Sequence, residues 1–282
     1  MTIGITGATG QLGRLVVAQL KTKVPAGDIV AIVRSPAKAA DLGVAAREAD
    51  YAKPATLEAA LKDIDTLLLI SSSEVGQREA QHKAIIDAAK KNGVKRIVYT
   101  SILHADTSTI DLADEHRATE ADIKASGIPY TFLRNGWYTE NYAAGIQGAV
   151  AGGALYGSAG SGRISSAARG DYAAAAVAVL ATPGHDGKVY ELAGDIAYTL
   201  TDLAAEISKQ TGKTIPYQNV SVGDYAKGLA SHGVPQPFAD MIAGWEVPIS
   251  QGALFDDSKT MSTLTGKPTT PFAETVKAIL KG

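Results

Sequence analysis

The chain of 282 residues contains no cysteine. That excludes disulfides, thiolate catalysis and cysteine-ligated zinc or iron–sulfur clusters. Net charge is nearly absent: 27 Lys and Arg against 29 Asp and Glu leave −2 at pH 7, which gives no pull toward nucleic acid or anionic lipid. No basic run marks a nucleic-acid patch. The five histidines, at 82, 104, 116, 185 and 232, show no metal-ligand spacing, so no metal is expected. No apolar stretch reaches the roughly 18–20 residues of a membrane span. The first residues enter a strand pattern at once, without a charged n-region or a cleavage-like site, and a cytoplasmic, soluble protein is expected. Internal repeats are also absent. Apolar residues make up 45% and charged ones 20%, which suits a globular chain with a sizeable core.

Strand and helix patterns alternate through the first half. Residues 2–6 (TIGIT), 29–33 (IVAIV), 65–70 (DTLLLI), 94–101 (VKRIVYTS) and 128–135 (IPYTFLRN) read as strands. Continuous β-branched or leucine runs of this kind suit strands buried on both faces. Between them, residues 11–23, 57–64, 78–93 and 113–127 carry apolar positions at helical spacing. The alternation predicts βαβ units: an α/β, Rossmann-like, doubly wound parallel sheet with helices on both faces. Past residue 140 the pattern changes. Residues 148–169 are rich in Gly, Ala and Ser and read as loop plus short strands, followed by a helix at 169–184 and a strand at 188–194. Helices at 199–212, 222–233 and 270–280, the last with Pro271 near its start, build a smaller α/β C-terminal lobe. The division expected is 1–145 for the dinucleotide-binding domain and 146–282 for the substrate-binding lobe, with strand 188–194 returning to the first domain's sheet.

Three glycines, Gly7, Gly10 and Gly13, stand between the first strand and the first helix, in ITGATGQLG. This G-x-x-G-x-x-G spacing is a weak signal alone, but a strand before it and a helix after it are the context of a dinucleotide fingerprint. Gly7 lets the chain turn off the strand, Gly10 lets backbone N–H groups near a pyrophosphate, and Gly13 lets the helix pack close. The helix N-terminus then faces the anion with partial positive charge. Ala8, Thr9, Gln11 and Leu12 complete the loop. At the end of the second strand, where an acid would accept the ribose 2′-OH of NAD, stand Arg34 and Ser35. A guanidinium pairs with a 2′-phosphate, and Lys38 adds charge, so the cofactor expected is NADP(H). The blander alternative is a solvated surface arginine. The loop after the fourth strand, Ser71, Ser72, Ser73, Glu74 and Val75, falls over the carboxyl ends of the strands, beside the cofactor; turn-forming serines are the alternative.

Many carbonyl reductases of this architecture use a Ser with a Tyr-x-x-x-Lys, the Tyr giving the proton and the Lys lowering its pKa and holding the ribose. Ser101 stands at the serine place, yet no tyrosine occurs between Tyr99 and Tyr130. Leu112 and His116 occupy the tyrosine and lysine places. An alcohol dehydrogenase or sugar epimerase needs a strong acid–base group there. A quinone needs less help, because hydride addition leaves a resonance-stabilised phenolate. His116, with His104 as a weaker candidate, could assist with a proton; a helix-surface histidine is the alternative. The segment 133–142 (LRNGWYTENY) follows the last cofactor-half strand. Asn135, Tyr138 and Asn141 offer amides and a hydroxyl for a carboxamide or a bound carbonyl, with Tyr138 and Asn141 taken as catalytic alongside His116. Trp137 and Tyr142 offer flat faces for an aromatic substrate. Arg169 reaches toward the same cleft, unless it pairs with Asp171 to cap its helix.

Seven segments in order (GITGATGQLG, AIVRSPAKA, LLLISSSEVGQR, TSILHADTS, LADEHRATE, LRNGWYTENY and LFDDSKT) resemble the bacterial type 2 NAD(P)H:quinone oxidoreductases, within the NmrA-like atypical short-chain dehydrogenases. The resemblance runs nearly end to end. It implies a Rossmann domain with a small C-terminal domain, NADPH binding, and hydride transfer to a small-molecule quinone without flavin. It also implies cofactor contacts at Gly7 to Leu12, Arg34, Ser73 to Val75 and Trp137 to Tyr142. The chain departs from the pattern in being shorter between Arg34 and Asp50. The rival function is a non-enzymatic NADP(H) redox sensor of the NmrA type that binds a transcription regulator. A nucleotide-sugar epimerase is disfavoured by the missing tyrosine. The physiological quinone, the proton donor and a homo-oligomeric state stay open.

Overall fold

Alternation within the apolar strand runs decides which side of the sheet each residue covers. In the computed structural model, which describes residues 1–282, the strands are β1 (Ile3–Thr6), β2 (Ile29–Val33), β3 (Ala45–Glu48), β4 (Thr66–Leu69), β5 (Arg96–Ile102), β6 (Tyr130–Asn135), β7 (Leu155–Gly157), β8 (Lys188–Leu192) and β9 (Tyr217–Asn219). Ile29, Ala31 and Val33 of β2 join one core while Val30 and Ile32 join the other; Leu68 of β4 likewise opposes Leu67 and Leu69. A two-residue period with both faces apolar forces helices onto both sides. Seven strands form one parallel sheet in the order β3-β2-β1-β4-β5-β6-β8. The order reverses between β1 and β4, which opens a crevice at the strands' carboxyl ends.

The helices are α1 (Gln11–Leu20), α2 (Pro54–Ala60), α3 (Arg78–Lys91), α4 (Leu112–Ser126), α5 (Ala143–Gly152), α6 (Arg169–Ala181), α7 (Leu200–Thr211), α8 (Val222–Ser231), α9 (Gln236–Ser250), α10 (Thr260–Thr265) and α11 (Phe272–Lys281). α1 and α6 cover one face of the sheet; α2, α3 and α4 cover the other. Each fully buried Ile or Leu in these layers contributes about 1.5–3 kcal/mol. A third core, with Ile164, Leu203, Ile207, Ile249 and Val276, joins α5, α7, α9 and α11 around the β7–β9 ribbon. No helix is long and apolar enough to cross a membrane.

The carboxyl ends of β5, β6 and β8 are tied by one buried cation. Arg134 on β6 donates to Glu120 of α4 from Nε at 2.9 Å and Nη2 at 2.7 Å, to both oxygens of Asp106 at 2.7 Å, and to Glu191 of β8 at 2.9 Å. Burial opposes its charge, but these hydrogen bonds outweigh that cost and hold the guanidinium protonated beyond its ordinary range. Ser101 Oγ donates to the same Glu120 at 2.7 Å.

Strands β3 and β9 are not among the runs read from sequence, and three helical elements differ from the sequence expectation. Residues 148–152, read as loop, complete α5, because Ile146 and Ala149 bury against the third core and its glycines lie on open positions. α9 carries Gly244 and Pro248 and gives no clean helical signal; Pro235 caps it and Pro237 begins it, where a missing N–H costs nothing. α10 is too short for periodicity to reveal.

At Gly13 an added Cβ would lie 2.3 Å from the Gly7 carbonyl oxygen and 2.7 Å from Ala8 Cα. Gly13→Ala therefore lowers unfolding free energy by about 1–3 kcal/mol, read from urea or thermal transitions. An unchanged midpoint would show that α1 is not held against β1.

Candidate active site

The glycine loop converts β1 into α1 in four residues, Gly7 to Gly10. Gly7 adopts φ +59°, a left-handed conformation that favours glycine, and its carbonyl accepts from Gly10 N–H at 2.8 Å. Gly10 caps α1 without a side chain, and the first turn holds no acid. The opening N–H groups of the helix therefore remain available to an anion, with the helix dipole behind them. Above the loop lies a cavity of about 730 Å³, lined by Gly7, Thr9, Gly10, Gln11, Leu12 and Gly13 at one end. Ala8 is fully buried in the core and lines neither this cavity nor the next, so only its backbone can face a ligand. The shape fits a dinucleotide: the cavity borders the uncapped first turn of α1, whose N–H groups suit a pyrophosphate.

Arg34, Ser35 and Lys38 line the far wall of the same cavity. Arg34 is exposed and pairs with Glu74 at 3.1 Å, so its guanidinium is held over the cavity mouth. Ser71, Ser72, Ser73 and Glu74 cross the middle. Tyr51, which the sequence reading passed over, also lines it; burial raises its hydroxyl to about 12, so it stays neutral.

A second cavity of about 550 Å³ opens beside the first. The two share Ser71, Ser73, Arg78, Tyr138 and Arg169. Val75, placed with the cofactor by the sequence reading, lines the second cavity only, as do Asn135, Trp137, Asn141 and Tyr142. Arg169 stacks over the Tyr138 ring at 4.6 Å and donates to Asn141 Oδ1 at 3.4 Å. Its backbone N–H is capped by Glu140 at 2.9 Å, while Asp171 instead accepts from Thr270 at 2.8 Å. The Arg169–Asp171 pair weighed from sequence is therefore not formed. Asn135 Oδ1 and Tyr142 Oη are buried without any hydrogen-bond partner. Such orphans are costly unless a ligand satisfies them.

Leu112 and His116 both line this second cavity, one α-helical turn apart, where a Tyr-x-x-x-Lys pair would stand. Ser101 lines it as well, but its hydroxyl is committed to Glu120. His116 is not the surface residue its acidic neighbours suggested; it is 6% exposed. Arg78 Nη1, which can only donate, lies 3.4 Å from Nε2, so the ring's proton is on Nδ1 and points at Tyr99 Oη, 2.7 Å away. Burial, with Arg78 and His82 adding to it, drives its pKa well below 6.5. The proton-donor role expected of His116 is corrected accordingly: the ring is neutral, and its one proton faces away from the cavity. His104 lines neither cavity; its ring bonds the Phe255 carbonyl at 3.1 Å.

The loop between the cavities is clamped from beneath by α3 and α4. Ser72 N–H donates to His82 Nε2 at 3.0 Å, which fixes the His82 proton on Nδ1 against Thr119 Oγ1 at 2.9 Å. Gly76 N–H donates to Glu115 Oε1 at 2.9 Å, and Arg78 Nε donates to the Ser72 carbonyl at 2.8 Å. Sequence reading missed these groups, because His82, Arg78 and Glu115 carry no motif of their own. The wall supplied by α8 and α9 (Tyr225, Ile242, Trp245, Glu246 and Ile249) was missed with α9 itself. Trp245 meets Trp137 edge to face at 5.5 Å. Burial raises the Glu246 carboxyl above its ordinary range, even though Ser158 N–H donates to it at 2.9 Å.

Comparison with known proteins agrees with this geometry. A family described as NAD(P)H-binding matches residues 7–183. The chain is 58% identical, over 97% of both chains, to quinone oxidoreductase 2 of Escherichia coli. It is 30% identical to an NAD(P)H azoreductase of Xenophilus azovorans, over 97% of this chain and 96% of that one. The solved structure of the Escherichia coli NADPH-dependent quinone oxidoreductase complexed with NADPH matches with a TM-score of 0.97 at 57% identity, covering 99% of this chain and 100% of that one. A Citrobacter triphenylmethane reductase complexed with NADP(H) matches with a TM-score of 0.95 at 40% identity, over 99% and 100% of the two chains.

Burial drives His82 from 6.5 down to about 3 in the folded chain, with Arg78 adding to the shift. Below pH 6.5 the unfolded chain binds a proton that the folded one refuses, so stability falls as pH drops from 6.5 toward 3. At pH 5 this histidine alone costs about 2 kcal/mol relative to pH 7. Urea unfolding at the two pH values should show that loss in the wild type and a smaller one in His82→Gln. Equal losses would dissociate the clamp from the acid sensitivity.

Proposed function

This chain belongs to the NAD(P)H-binding family, and we propose that it is an NADPH-dependent quinone oxidoreductase working without flavin. The observation that carries the reading is two cavities meeting at one junction, with a leucine where a carbonyl reductase needs its acid. Bound reduced nicotinamide supplies a hydride. Gly7 to Leu12, with Ala8 through its backbone, would hold the pyrophosphate, and Arg34 the 2′-phosphate. Ser71 to Glu74 would hold the ribose side, while Val75 faces the second cavity. Asn135, whose oxygen lacks a partner, suits the N–H of a carboxamide, with Tyr138 and Asn141 beside it.

The acceptor lies in the second cavity, against Trp137, Tyr142 and Arg169. Flat aromatic faces recognise a planar conjugated ring by offset or edge contact. The Tyr142 hydroxyl, raised well above 10 by burial, remains a neutral donor without a protein partner, on a side chain that lines this cavity. The walls bring donor and acceptor together and exclude water. Hydride acceptance leaves a phenolate that solvent protonates, so a buried acid at position 112 is unnecessary. The non-enzymatic sensor is the weaker reading: a relative that shares more than half of its residues is named quinone oxidoreductase 2. A cytoplasmic site of action fits a protein fed by NADPH and small quinones.

Wild type should oxidise NADPH on addition of benzoquinone or menadione. Intact NADPH binding with no turnover would favour the sensor. Arg34→Ala should lose about 10–100-fold in NADPH over NADH preference, the worth of a charge-assisted contact. An unchanged ratio of kcat/KM values would free Arg34 of that role. Tyr142→Phe should raise quinone KM about fivefold while leaving unfolding free energy level or higher, since an unpartnered hydroxyl is removed. A large stability loss would mean that the hydroxyl is structural.

A further inference from the structure

Arg78 lines both cavities, and its hold on the serine loop leaves part of its guanidinium unused. Its side chain is 7% exposed. Nε donates to the Ser72 carbonyl at 2.8 Å, and Nη1 lies 3.4 Å from both Glu115 Oε2 and His116 Nε2. Nη2 bonds to no protein group and is not among the atoms sealed away from the cavities. A guanidinium has five donors, and a buried one seldom leaves a whole edge unused without a partner to come. The counter-ion Glu115 lines neither cavity, because its carboxylate is drawn to the N–H groups of Gly76 and Arg78 at 2.9 and 3.3 Å.

Its place in the fold gives that free edge a meaning. His116 stands where the lysine of a Tyr-x-x-x-Lys pair would stand, and it is neutral. Arg78 reaches the same spot from α3, so the cation missing from α4 is restored from the neighbouring helix.

We propose that Arg78 is a catalytic residue, its free Nη2 edge stabilising the negative charge that gathers on the quinone oxygen as hydride arrives. This rests on the second cavity being the acceptor site. The two-electron donor is NADPH, which becomes NADP⁺ as its C–H bond breaks. The quinone forms one new bond to hydrogen and becomes a hydroquinone monoanion, and a solvent proton then completes the hydroquinone. Arg78 gives up no proton, since a guanidinium stays charged; its part is electrostatic and preorganised by Ser72, Glu115 and His116.

Single-turnover reduction of menadione by NADPH-loaded wild type, Arg78→Gln and Arg78→Lys tests this, with NADPH affinity measured separately by fluorescence. Gln keeps a donor for the Ser72 carbonyl but loses the charge. Its hydride-transfer rate should fall about 10²-fold with NADPH Kd changed less than about threefold, and Lys should recover about tenfold. A probe without turnover is 4-nitrophenol bound to the NADP⁺ form: its yellow phenolate should appear at lower pH than in free solution, and Arg78→Gln should abolish that shift. A Gln rate near that of wild type, a loss confined to NADPH affinity, or Lys no better than Gln would each overturn the proposal. If Arg78→Gln does not fold, nitrophenol ionising normally on wild type overturns it instead. Wild type inert toward every quinone would sink the acceptor reading, while the nitrophenol titration would still report on Arg78.

Discussion

The fit of α1 against β1 is the constraint on which the rest depends. A helix can bring its N-terminus over the end of a strand only if no side chain intervenes, and the Gly13 position leaves no room for even a methyl group beside the Gly7 carbonyl. That contact aims the open N–H groups of α1 at the crevice where the strand order reverses. From there the geometry propagates. The parallel sheet sends every βα loop to the same edge, so Arg34 after β2, the serines after β4 and the Asn135–Tyr142 segment after β6 converge without being close in sequence.

Convergence alone would leave those loops free to wander. The serine loop is pinned by groups beneath it: His82 and Arg78 from α3, and Glu115 and Thr119 from α4, each satisfying a backbone or side-chain partner. A second polar cluster, centred on Arg134, ties β6, β8 and α4. Both gather charged groups around a guanidinium that is almost wholly buried, with Glu115 Oε2 and one edge of Arg78 left without a hydrogen-bond partner. Such networks add little net stability compared with apolar packing, but breaking one member leaves an uncompensated charge, so they specify one arrangement. Rigidity of that sort is what a hydride transfer requires, since donor and acceptor must meet at contact distance.

Much of this was legible along the chain. Apolar runs with a two-residue period, separated by helical periodicity, led to the parallel sheet, because both signals arise from local geometry. The glycine spacing and Arg34 pointed to a phosphorylated dinucleotide for the same reason. The missing tyrosine was legible as a gap. What escaped was anything defined by contact across the fold. His116 reads from sequence as a proton source, with a helix-surface histidine as the alternative, yet α4 turns its ring proton inward against Tyr99. Arg78 stood only as the first residue of the helical run 78–93. α9 hid behind a glycine and a proline, since its helical state comes from packing rather than propensity.

The sequence by itself determined the alternation of the parallel-sheet elements, the faces their strands bury and the backbone freedom of the glycine loop. Those follow from side-chain period and from glycine's missing Cβ, both properties of residues a few positions apart. Only the tertiary structure decided which polar groups meet: Arg78 beside His116, Glu246 across from Tyr142, and the junction shared by the two cavities. Hydrogen bonds and desolvation act over a few ångströms in space, and those residues lie dozens to more than a hundred positions apart until the sheet brings them together.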